Sequence, residues 1–73
     1  MRLTFDLTGD HIALCDLLKV CDIMDTGGAA KQFIADGNVE VDGELELRKT
    51  RKIRPGMVVT GDDFEIHVVA APA

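Results

Sequence analysis

A chain of 73 residues with 47% hydrophobic, 29% charged and 4% aromatic side chains has the composition of one small globular domain and little room for a second. A chain this short buries only a modest share of its surface, which argues against a deep enclosed cleft and leaves stability to well-specified local structure. The net charge of −5 hides a segregation: Arg48-Lys49-Thr50-Arg51-Lys52-Ile53-Arg54 carries +5 with no acid, while the rest sets three basic residues against thirteen acidic ones, or −10. Salt screens fields over about 8–10 Å, so a partner touching this segment feels the local charge more than the distant acids. No apolar run approaches the roughly 18–20 residues of a membrane span, and the start, Met1-Arg2-Leu3-Thr4-Phe5-Asp6, lacks the apolar core of a signal peptide. A cytoplasmic protein, one domain over residues 1–73, is expected.

Leu3, Phe5 and Leu7 alternate with Arg2, Thr4 and Asp6, the period of a half-buried strand. Asp10 then reads as the cap of an amphipathic helix over roughly 11–22, with Leu14, Leu17, Leu18 and Cys21 on one face. A second helix is expected to begin at a Thr26 cap, to offer Ala30, Phe33 and Ile34 to the first, and to stop at Gly37. Two alternating runs around Asp42-Gly43 predict a hairpin. Its parity is awkward, because a two-residue Asp-Gly loop sets Val41 opposite Glu44 and mixes apolar and acidic side chains on one face. A three-residue loop, Val41-Asp42-Gly43, keeps the apolar face whole by pairing Val39 with Leu45, at the expense of Glu40 facing Glu44. Arg54-Pro55-Gly56-Met57 fits a type II turn, and strands follow at 57–60 and 64–68, with 70–73 frayed. The fold class is therefore a small α+β domain: an N-terminal strand, two packed helices, and a mostly antiparallel set of short strands.

The run Thr26-Gly27-Gly28-Ala29-Ala30-Lys31, then Ile34-Ala35-Asp36-Gly37-Asn38-Val39-Glu40-Val41-Asp42-Gly43, then the basic stretch and Pro55-Gly56, resembles the alpha-L RNA-binding domain named after small-subunit ribosomal protein four. In its stand-alone bacterial type that domain is nearly the whole protein. The resemblance covers about residues 11–69. It implies binding of structured RNA, ribosomal RNA among the candidates, where the two-helix alpha-L motif meets the hairpin. On this chain the matching positions are Lys31 and Arg48, Lys49, Arg51 and Lys52. At Thr26-Gly27 the chain departs from the Ser-Arg pair that family members often carry.

The residues themselves point the same way. Five cations in seven residues suit a phosphate backbone, and arginine suits paired phosphate oxygens, which adds Arg54 to the candidates. Gly27 and Gly28 at a helix start leave backbone N–H groups open to an anion, or else serve close helix packing. Ile53 reads as a core anchor between Lys52 and Arg54. Ser is absent and Cys15 and Cys21 sit in an apolar helix, so nucleophilic catalysis has little to work with, and a non-enzymatic module without cofactor is expected. The cysteines, His11 and His67 lack zinc-site spacing, so no metal is expected. Trp and Tyr are absent, which favours readout of RNA shape over base stacking. A monomer is expected. The rival is a protein-interaction module, docking an acidic partner on the basic segment or a basic partner, such as a ribosomal protein, on the hairpin acids Glu40, Glu44 and Glu46.

Overall fold

The computed structural model describes residues 1–72. The alternating N-terminal run forms β1 (Arg2–Leu7), with Leu3 and Phe5 half-buried and Leu7 buried. Its partner is β7 (Glu65–Ala70) at the opposite end of the chain, and the two run parallel from Arg2 opposite Glu65 to Leu7 opposite Ala70. β6 (Val58–Thr60) pairs antiparallel with β7, and the hairpin strands β3 (Glu40–Val41) and β4 (Glu44–Leu45) complete a five-stranded sheet in the order β1-β7-β6-β3-β4. A second, two-stranded sheet joins β2 (Ile12–Ala13) to β5 (Lys52–Ile53). The α+β class with mostly antiparallel strands holds, with β1 and β7 as the parallel exception.

The helices are α1 (Leu14–Val20) and α2 (Gly27–Ala35). Leu14, Leu17 and Leu18 of α1 and Ala30 and Ile34 of α2 are fully buried against Val39, Val59, Ile66, Val68 and Ile53. Each buried leucine contributes roughly 1.5–3 kcal/mol relative to exposure, so α1 is held mainly by its packed face. Phe33 and Phe64 meet at a tilted 40° with ring centroids 6.3 Å apart, beside this core.

Three expectations are corrected. Residues 12 and 13 are strand, α1 begins only at Leu14, and its N-cap is Ala13 without a side-chain bond, so Asp10 caps nothing. The pairing of Ile12 with Ile53 pulls the chain into the small sheet before the helix can start. The hairpin uses the two-residue loop, with Glu40 opposite Leu45 and Val41 opposite Glu44. Asp42 (φ +53°) and Gly43 (φ +84°) both occupy the left-handed region, the signature of a type I′ turn. Asp42 is held there by β6, its N–H donating to the Val58 carbonyl (2.8 Å) while its Oδ1 accepts from Val58 N–H (2.9 Å). The C-terminal end is less frayed than expected: Ala70 closes β7 and Ala71 N–H donates to the Leu7 carbonyl, while Ala73 lies outside the described residues.

Candidate nucleic-acid interface

The two-residue turn turns the side chain of Glu46 inward. Leu45 and Leu47 on either side are 60% and 52% exposed, whereas Glu46 is 5% exposed and its backbone N–H bonds to the Val39 carbonyl. A buried carboxylate is costly unless it is paired and hydrogen-bonded. Four donors meet that need. Arg48 supplies its backbone N–H and Nε to Oε2 and its Nη2 to Oε1, each at 3.0 Å, and Arg51 supplies Nη1 to Oε1. The Arg48 side-chain bonds outweigh the effect of burial and, with the Arg48 backbone N–H and Arg51, hold the Glu46 carboxyl down at about 2. The same partnership raises the Arg48 guanidinium above its ordinary value. Of the two acids that the two-residue loop puts on the apolar face, Glu44 reaches solvent and Glu46 turns inward, where arginines two and five residues further on match it. Sequence reasoning, which set Glu46 on the solvent-facing hairpin face, missed this role; the arginines spaced two and five residues after it are the signal that could have found it.

The backbone of the basic segment is tied to α1. The carbonyls of Arg51 and Lys49 accept the first helical N–H groups, those of Leu14 (2.9 Å) and Cys15 (3.0 Å), so they do the work that a side-chain cap would do at Ala13. Ile53 is fully buried and anchors the segment, as its sequence context suggests. The type II turn ends it: Met57 N–H donates to the Arg54 carbonyl at 3.2 Å, with Gly56 at φ +96°. Fixed in this way, Lys49, Lys52 and Arg54 remain exposed and, among the described residues, without an ion-pair partner. The side chains of Arg48 and Arg51 are 71% and 30% exposed. Arg48, Thr50, Arg51, Lys52, Arg54 and Met57 line an open groove.

The segment therefore presents less than its formal +5, because Glu46 offsets one charge from a position just outside it. The rival acidic hairpin face loses the same residue: Glu40 and Glu44 are exposed, Glu46 is not.

Gly27, Gly28 and Lys31 lie apart from these bonds and from the groove lining. Thr26 caps α2 as expected, its Oγ1 accepting from Ala29 N–H at 3.0 Å. A Cβ on Gly27 would meet nothing within 4 Å, and one on Gly28 only Thr26 Oγ1 at 4.0 Å, so close helix packing does not explain these glycines. Lys31 is exposed. Cys15 is buried and Cys21 half-buried, both free, and burial followed by the neighbouring Asp22 raises the Cys21 thiol, which opposes the thiolate a nucleophile needs.

The sequence pattern of the S4 domain family matches residues 5–69, extending the expected 11–69 into β1. "Putative RNA-binding protein YbcJ" of Escherichia coli (strain K12) is 45% identical over 60 residues, covering 82% of this chain and 86% of that protein. "Probable ribosome maturation protein RlbA" of Bacillus subtilis (strain 168) is 38% identical over 55 residues, covering 75% and 78%. The solution structure of Escherichia coli YbcJ, described as revealing an alfaL motif involved in RNA-binding, superposes with a TM-score of 0.72 at 44% identity, over 92% of this chain and 86% of that one.

Proposed function

Because the chain belongs to the S4 domain family, we propose that it is a non-enzymatic RNA-binding module, working as a cytoplasmic monomer, that grips the phosphate backbone of structured RNA. The carrying observation is the basic segment, in which Arg48, Lys49, Lys52 and Arg54 are exposed and Arg51 partly so, on a backbone fixed by α1, the buried Ile53 and Glu46. Lys49, Lys52 and Arg54 are the free cations of the grip, with Arg48 and Arg51 beside them as a pair that shares one carboxylate. Gly27, Gly28 and Lys31, at the start of α2, supply a secondary contact for an anion. Ribosomal RNA is the favoured class, a reading supported by the ribosome-maturation name of the Bacillus relative. Apolar packing occupies Phe64 and partly covers Phe5 and Phe33, which suits contact with RNA shape and backbone rather than stacking on exposed bases.

Neutralising phosphates releases counterions, and each contact contributes about −0.7 to −0.9 to the slope of log K against log salt. Three free cations and a pair worth one charge give four effective contacts, hence a slope of roughly −3 to −3.5. Titration of a structured RNA by fluorescence anisotropy across several salt concentrations measures it. Lys49→Glu with Lys52→Glu reverses two unpaired, exposed charges and should remove most of the affinity while leaving the melting transition nearly in place. A folded double variant that binds like the parent would show that the basic segment is not the site. Cross-linking in cells followed by sequencing identifies the RNA.

A further inference from the structure

An acid inside an anion-binding surface should weaken it if charge alone decides. Glu46 nonetheless sits at the centre of the two arginines, holding three donors of Arg48 and one of Arg51. Two guanidinium groups this close repel each other, and the shared carboxylate removes that repulsion while leaving the trio at +1. It also leaves donors to spare. Glu46 uses Nε and Nη2 of Arg48 and Nη1 of Arg51, so Nη1 of Arg48 and Nε and Nη2 of Arg51 are not used by it, on side chains that both line the groove.

We infer that Glu46 is a positioning residue for RNA: it locks Arg48 and Arg51 into one preformed fork for phosphodiester oxygens, so that removing this negative charge weakens binding. The inference rests on the RNA-binding reading and assigns how that site achieves its grip. Unrestrained arginines lose their rotamer freedom at the moment of binding, whereas here folding has already fixed them. Planar guanidiniums held in a set orientation then meet paired oxygens as lysines cannot.

The probe is a fluorescein-labelled RNA stem-loop, titrated at low salt against the full chain, which reports backbone binding whatever the natural RNA. Glu46→Gln is nearly isosteric but accepts through one atom, so two of the four donors would face an NH₂ group in either amide orientation. Its expected effect is affinity about tenfold weaker, although the protein has lost an acid. Glu46→Asp keeps the charge, cannot reach all four donors, and should weaken binding in the same direction. In an Arg48→Lys, Arg51→Lys background, which has charge but no fork, Glu46→Gln should leave affinity unchanged or improve it. A purely structural role would instead lower it in both backgrounds. Should Glu46→Gln fail to fold by circular dichroism, Glu46→Asp carries the test at constant charge. With Arg48 and Arg51 in place and the parent itself bound, parent-like or tighter binding by a folded Glu46 variant overturns this inference alone. No binding by the parent at low salt overturns the RNA reading and this inference together.

Discussion

The start of α2 takes its acceptor from the neighbouring residue, Thr26, whose Oγ1 receives the Ala29 N–H. The start of α1 takes its acceptors from the far side of the hairpin, the carbonyls of Arg51 and Lys49, and has no capping side chain of its own. One helix start is a local property and the other belongs to the basic segment. Whatever loosens that segment therefore frays α1, and whatever secures α1 holds the five cations in place. The coupling explains how a run of like charges stays ordered on a small domain.

The strongest way to break the contrast is Ile53→Ala. Ile53 is fully buried within β5, so the loss of packing and the cavity left behind should cost about 2–5 kcal/mol, read as a lowered urea midpoint. RNA affinity should fall as well, although no cation has been touched. Unchanged stability would mean that the segment is not anchored through its side chain.

Acid should act next, and on the same region. Glu46 has a folded pKa of about 2 against an ordinary 4.5, so its ionised form is favoured by folding. That contribution is fully present above about pH 4.5 and is lost as pH falls toward 2. Urea midpoints measured across this window should drop in the parent, and Glu46→Gln should lack part of the drop. An identical acid limb in the two proteins would show that the carboxylate is not held by its arginines.

The smallest effects sharpen the comparison between the helix starts. Thr26→Ala deletes a side-chain cap and should cost about 1 kcal/mol in thermal or urea unfolding. Asp10→Ala, at the position whose residue type most resembles a cap for the first helix, should stay within about 0.5 kcal/mol, because Asp10 is exposed and α1 begins four residues later. Equal losses in the two variants would erase the distinction between local and remote capping.

The sequence by itself determined what a few neighbouring residues can specify. The alternation of Leu3, Phe5 and Leu7, the Thr26 cap, the stop at Gly37, the Pro55-Gly56 turn and the burial of Ile53 were each legible because cause and effect lie within one turn or one strand. The clustering of positive charge was legible for the same reason. Tertiary structure decided the rest. The parallel pairing of β1 with β7 joins the two ends of the chain, and the late start of α1 depends on Ile53 and Arg51 reaching Ile12 and Leu14. Parity of apolar residues favoured the wrong hairpin loop because it counts every acid as solvent-facing. An inward acid becomes acceptable only when partners from outside its own strand satisfy it, and Glu46 has two such partners in Arg48 and Arg51.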